Sequence, residues 1–284
     1  MIGMVRKWII ATQYYGGKFF LLPYLLKIIP KHRCYLEVFG GGGFLLLNKK
    51  PSRIEVYNDI NGDIVNFFKV LRDNSNELIR RLKYTPYSRQ LIEELATKRN
   101  FKDEIERAWA YYCLLNQTIN ASQKGFAYSK KKNHASAFKN KVDRLYEVAE
   151  RLRGVIIENL DWKDCMDKYE SKDAFAYCDA PYPSETRTAK NVYEYEFTRQ
   201  DHIKLRDYIK NWSGKICLST YPSEIYEELA NEGWYKLEIK VSKWSRVLRK
   251  NQSSNTRSRA IEVLWMNYEP PQKKISLEKW MSSQ

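Results

Sequence analysis

Short apolar runs alternate with amphipathic stretches along most of this chain, and the alternation is interrupted once. Runs of β-type residues occupy 34–39, 53–58, 155–159, 174–178, 215–219, 237–241 and 260–266. Helix-like segments at 19–29, 62–72, 199–212 and 223–231 lie between several of them. Alternation of this kind packs helices against the faces of a sheet, so the pattern predicts an α/β fold. Residues 73–153 break it: they are expected to form helices at 88–99, 102–119 and 137–153 around a polar, basic loop at 120–136. That stretch is too long for a single crossover. The expected organisation is a sheet domain built from 1–72 and 154–284 with a helical subdomain inserted at 73–153.

The chain has 284 residues, 43% of them apolar, enough for one large core or a core with an insert. Lysine and arginine number 49 against 34 acids, so the net charge is 49 − 34 = +15. That balance favours a polyanionic partner such as nucleic acid, although basic charge alone also serves solubility. The five cysteines (Cys34, Cys113, Cys165, Cys178, Cys217) are scattered and form no CxxC pair, which argues against a zinc site or a disulfide framework. His32, His134 and His202 lack metal-ligand spacing and are expected as surface or capping residues. No metal is therefore expected. Lys18 cuts the N-terminal apolar stretch, which lacks a signal-peptide layout, and no apolar run reaches membrane-spanning length. A soluble, intracellular (cytoplasmic) protein with no membrane partner is the expectation.

Four short motifs stand out. Asp179-Ala180-Pro181-Tyr182 follows the apolar run 174–178. A carboxylate, a rigid turn and an aromatic ring at a strand end suit a pocket for a flat, amino-bearing ring, since Asp accepts from NH2 and Tyr stacks. The same residues also make an ordinary turn. Tyr35-Leu36-Glu37-Val38-Phe39 runs into Gly40, Gly41, Gly42 and Gly43. Consecutive glycines after a strand let the backbone approach a ligand where a Cβ would clash. This is not the dinucleotide fingerprint, because Leu45 and Leu46 stand where its last glycine would be, and no P-loop is present. A nucleoside-like ligand without pyrophosphate fits better than a dinucleotide. Asp59, at the end of the next strand, is placed like a ribose-binding acid, or equally as the N-cap of the following helix. Gln13-Tyr14-Tyr15-Gly16-Gly17-Lys18 combines aromatics, flexible backbone and a cation ahead of the first strand.

In this order and combination the four motifs resemble the DNA adenine N6-methyltransferases of the Dam (D12) type, over almost the whole chain. The match extends to Arg151-Leu152-Arg153-Gly154-Val155, Asp161-Trp162 and the tail Glu262-Val263-Leu264-Trp265. The resemblance implies a Rossmann-like, S-adenosylmethionine-dependent sheet domain with an inserted helical DNA-recognition subdomain, acting on double-stranded DNA as a monomer or weak dimer. It implies that Tyr14 and Lys18 contact the cofactor, that Glu37, Phe39 and the four glycines border it, and that Asp59 holds its ribose. Asp179, Ala180, Pro181 and Tyr182 would form the target-base site, with Asp179 also lining the cofactor. One departure from the family matters: Ala180 stands where the family has proline.

Two basic stretches are candidate DNA contacts. Lys124, Lys130, Lys131 and Lys132 are interleaved with Phe126 and Tyr128, suiting phosphate contacts and a stacking ring. Arg246, Arg249, Lys250, Arg257 and Arg259 flank a Ser/Asn-rich turn between two late strands. A cytosine N4-methyltransferase, and a DNA-binding relative that has lost turnover through Ala180, are the rival expectations.

Overall fold

The computed structural model describes residues 8–14, 18–181, 197–242 and 259–271. Within them, β1 (Cys34–Glu37), β2 (Ile54–Asn58), β3 (Val155–Glu158), β4 (Ala174–Cys178), β5 (Lys215–Thr220), β6 (Tyr235–Ser242) and β7 (Arg259–Met266) form one seven-stranded sheet in the order β3-β2-β1-β4-β5-β7-β6. Strands β3, β2, β1, β4 and β5 pair in parallel, and β7 runs antiparallel between β5 and β6. All residues of β1 and β4 are buried, as a parallel strand covered on both faces requires. The strand order reverses between β1 and β4, which makes the C-terminal ends of those two strands the crevice of the sheet.

Alternation along the strands sorts their side chains into two cores. Tyr35, Tyr57, Phe175, Tyr177, Cys217 and Leu264 face one side. Leu36, Val56, Ala176, Cys178, Leu218 and Trp265 face the other. The second face is covered by α9 (Trp162–Lys168), α10 (Arg199–Ile209) and α11 (Glu224–Asn231), through residues such as Met166, Leu205 and Leu229. The first is covered by α1 (Leu22–Ile28), α2 (Phe44–Asn48), α3 (Gly62–Asp73) and α8 (Leu145–Leu152).

The remaining helices of 73–153 are α4 (Ser75–Lys83), α5 (Arg89–Thr97), α6 (Glu104–Gln117) and α7 (His134–Asp143). Their buried side chains continue the first core: Phe67 of α3 stacks on Tyr112 of α6 at 5.4 Å and meets Phe68 edge-on at 5.6 Å, and Tyr112 in turn meets Phe138 of α7 at 5.9 Å. The helices expected at 88–99 and 102–119 are present, whereas 137–153 is two helices that part at Arg144. The short helices α2, α4 and α9 have no counterpart in the sequence expectation. All residues of α2 are buried, so it shows no amphipathic period to read.

Candidate active site

At the crevice, Lys18 sits among partners from β4's end, β5 and β7. Its Nζ lies 2.6 Å from Asp179 Oδ1, just beyond β4, and 2.6 Å from Glu262 Oε1 in β7. It also donates to Ser219 Oγ of β5 at 3.0 Å, and Ser219 Oγ is 3.1 Å from the same Glu262 oxygen. Lys18 is 4% exposed and Glu262 1%, so the charges interact with little screening by water. Burial opposes the charge on Lys18, but the Asp179 and Glu262 carboxylates outweigh it and hold the ammonium above the ordinary lysine value. Burial pushes the Asp179 carboxyl up to about 6; Lys18 pulls it back down, and the like charge of Glu262 adds to the rise. Among the described residues only Lys18 bonds the Asp179 carboxylate.

The glycine loop stands beside this cluster because β1 and β4 are neighbours: Glu37 pairs with Tyr177, and Val38 N–H donates to Tyr177 C=O at 3.1 Å. Two of its glycines are fixed by the protein's own rings. A Cβ on Gly40 would lie 2.3 Å from the Tyr57 ring, and one on Gly41, whose φ is +47°, would lie 2.8 Å from the Tyr14 ring. Tyr14 therefore rests on the loop, where the motif predicts a cofactor contact. Tyr57 Oη donates to Gly41 C=O at 2.7 Å. Aromatic packing thus helps set the loop's path.

Asp59 resolves an alternative that its position alone leaves open. The N-cap of α3 is Asn61, whose side chain accepts from the N–H groups of Asp63 and Ile64. Asp59 instead accepts from Gly41 N–H at 2.7 Å and Asn61 N–H at 2.9 Å, which ties the end of β2 to the glycine loop. Burial raises its pKa, and those two N–H groups oppose the rise.

Glu37 supports the loop from behind. Its Oε2 accepts from Tyr35 Oη at 2.8 Å and from Leu46 N–H of α2 at 2.6 Å, and the residue is 1% exposed. Burial pushes its carboxyl from 4.5 up to about 7, against those hydrogen bonds. The folded state thus favours the protonated form; that contribution to stability is full below 4.5 and is lost as pH rises through about 7. Glu37→Gln, neutral at every pH, is expected to gain stability relative to the native protein between about pH 5 and about pH 8. Thermal melts of both proteins at the two pH values test this, and a difference independent of pH would contradict it.

Beyond β4, Ala180 is 3% exposed and packs in the second core. Pro181 C=O is 3.0 Å from His202 Nε2. Contrary to the expectation of a surface or capping residue, His202 is 2% exposed, because its polar atoms find buried partners. Phe39 meets Phe197 edge-on at 5.6 Å, and Phe197 meets His202 at 4.8 Å, so the glycine loop and the Asp179 loop are linked by rings. Tyr182, like Tyr15, Gly16 and Gly17, lies outside the described residues.

In the insert, residues after α6 fold back on themselves: Thr118 bridges Phe126, Ile119 N–H donates to Gly125 C=O, and Ala127 N–H donates to Gln117 C=O. Lys124, Lys130, Lys131 and Lys132 are exposed, and Tyr128 is 70% exposed. Phe126 packs 5.0 Å from Tyr87 and under Arg89, so Tyr128 is the more available of the two rings. Arg246, Arg249, Lys250 and Arg257 lie outside the described residues, and nothing is described of the Arg259 side chain. The described residues contain no group of three or more His, Cys, Asp or Glu able to hold a metal, and no helix long and apolar enough to cross a membrane.

Ser219 lies outside the motifs, and Glu262 belongs to the matched tail without a role assigned there; both are site residues that the sequence reading missed. The available signal was an acid between Ile261 and Val263 in an apolar strand, a costly placement unless the acid is paired.

The strand order, with a glycine loop after β1 and an acid–proline segment after β4 at one switch point, is consistent with a Rossmann-like methyltransferase fold. The chain belongs to the D12 class of N6 adenine-specific DNA methyltransferases, whose family model matches residues 14–247. It is 27% identical over 279 residues to a Type II methyltransferase, M1.LlaDCHI, of Lactococcus lactis subsp. cremoris, covering 90% of this chain and 94% of that protein. It is 27% identical over 290 residues to the Type II methyltransferase M.MjaIII of Methanocaldococcus jannaschii, covering 89% and 96%. A DNA adenine methylase of Salmonella typhi is 24% identical over 275 residues, covering 90% and 93%. As a family member the chain is a site-specific DNA adenine methyltransferase, an enzyme rather than a binding protein that keeps only the fold.

Proposed function

We propose that the methyl donor is S-adenosylmethionine and that adenine N6 receives the methyl group beside Asp179, in a base turned out of double-stranded DNA. The observation that supports this most is the Asp179 carboxylate at the sheet's switch point, bonded among the described residues only by Lys18. With Asp179 and Glu262 ionised, the cluster with Lys18 has a net charge of −1, which suits a sulfonium cation nearby. The donor supplies an electrophilic methyl group on that sulfonium. Tyr14, Phe39 and the Gly40, Gly41, Gly42 and Gly43 backbone would wall the donor, with Glu37 acting through the loop. Asp59 would offer its carboxylate to the ribose hydroxyls while holding Gly41.

The N6 amino group is planar and a poor nucleophile because its lone pair is shared with the ring. Asp179 accepts one of its hydrogens and the Ala180 C=O the other, favouring a tetrahedral nitrogen whose lone pair can attack in line. Alanine keeps the carbonyl this requires. Tyr182 would stack on the extruded base, an interaction of roughly 1–3 kcal/mol. The helices of 73–153 form a recognition unit whose exposed lysines, with those near 246–257, would meet phosphates.

Incubation with DNA and tritiated donor, followed by digestion to nucleosides and mass analysis, tests the reading. N6-methyldeoxyadenosine is the expected product. N4-methyldeoxycytidine, or preferential labelling of competing RNA, would overturn it.

A further inference from the structure

We infer that His202, held by Tyr226, is a positioning residue that fixes the backbone after Asp179 and takes over the constraint that Ala180 lacks. This rests on the methyl-transfer reading of the site. A carbonyl oxygen only accepts, so His202 Nε2 must donate to Pro181 C=O across their 3.0 Å contact. In the neutral ring Nδ1 is then the acceptor, and Tyr226 Oη lies 2.7 Å from it, placed to donate. Both side chains are buried, Tyr226 at 1% exposure. They rise from different helices, α10 and α11, which cover the same face of the sheet. The start of α10 is itself fixed by a capping box between Thr198 and Asp201.

The loop has few freedoms left once these bonds are counted. Lys18 holds the Asp179 side chain, the ring of Pro181 fixes its own φ, and His202 holds the Pro181 carbonyl. Pro181 also pushes Ala180 toward extended backbone. What remains is rotation about Ala180 φ, which a proline would lock and an alanine does not. Among the described residues, no acceptor takes the Ala180 N–H, so a proline ring there displaces no hydrogen bond. Support from outside the loop thus stands in for rigidity within it, and it does so at the carbonyl next to the one aimed at the base.

The test measures kcat, donor binding and folding for H202L, H202Q, Y226F, A180P and H202L/A180P. H202L is expected to lower kcat by about 10²-fold through misplacement of the acceptor, with donor binding unchanged. H202Q, whose amide nitrogen reaches the place of Nε2, should lose less. A180P should raise turnover several-fold more in the H202L background than in the native one, a coupling that a merely structural histidine would not give. If H202L does not fold, Y226F decides: loss of the partner of Nδ1 should reduce kcat, and native turnover in Y226F would overturn the role. Native kcat in folded H202L, or equal effects of A180P in both backgrounds, would overturn it as well. A native protein that labels no DNA defeats the methyl-transfer reading and this inference with it, whereas an active native protein beside an equally active H202L defeats the inference alone.

Discussion

Replacing Asp179 with alanine is expected to lower methyl transfer by on the order of 10³-fold while leaving donor binding measurable. The loss should fall on kcat, because in the proposed mechanism the carboxylate acts where charge develops on the attacking nitrogen. The fold should survive the change, since Lys18 keeps Glu262 and Ser219 as partners. Asp179→Asn keeps an acceptor oxygen without the charge and should lie between the two. Asp179 accepts from both of its oxygens only when ionised, and burial places its pKa at about 6. Activity is therefore expected to fall as pH drops through about 6. Stability moves the other way: the raised pKa favours the protonated folded state, a contribution present below 3.8 and lost as pH rises through about 6. Tritium incorporation by Asp179→Ala at the native rate would remove the residue from the mechanism.

The second large effect is expected at Lys18. Lys18→Met leaves Asp179 and Glu262 facing each other in a buried site without their shared cation. Breaking a buried ion pair in this way costs about 3–5 kcal/mol, since an uncompensated charge remains. The Asp179 carboxyl should also rise further, so residual activity would need higher pH. Adding Glu262→Gln removes one of the two opposed charges and should recover part of the stability. Denaturant midpoints for the two single variants and the double variant measure this. Equal stability of Lys18→Met and the native protein would mean that the cluster is not formed in solution.

Much of the sheet was legible because buried parallel strands leave short apolar runs, and 174–178 coincides with β4. Of the motif residues that the structure brings together, the glycines, Asp59 and Asp179 follow strand ends, and Tyr14 and Lys18 lie in the loop ahead of α1, where loop chemistry shows in sequence. What was not legible depends on separation along the chain. Lys18 meets Ser219 and Glu262 from 201 and 244 residues away, and only the strand order places β5 and β7 beside β4. His202 shows no motif of its own, because its role is set by a carbonyl and a hydroxyl on other elements. Asn61 rather than Asp59 caps α3, a choice between neighbouring cap-competent residues that local propensity does not make.

The stacking of Phe67 on Tyr112 bears on how far the 73–153 helices can be exchanged. Because the helices of 73–153 share their apolar side chains with α3 and the sheet, they are not a cassette that can be exchanged at its two ends. Transplanting another protein's segment would leave Phe67, Phe68 and Leu71 against mismatched neighbours, with the cavities or clashes that destabilise cores. If the insert reads DNA as proposed, re-targeting is better sought in the exposed turn around Lys124 and Tyr128, where side chains can change without disturbing that packing.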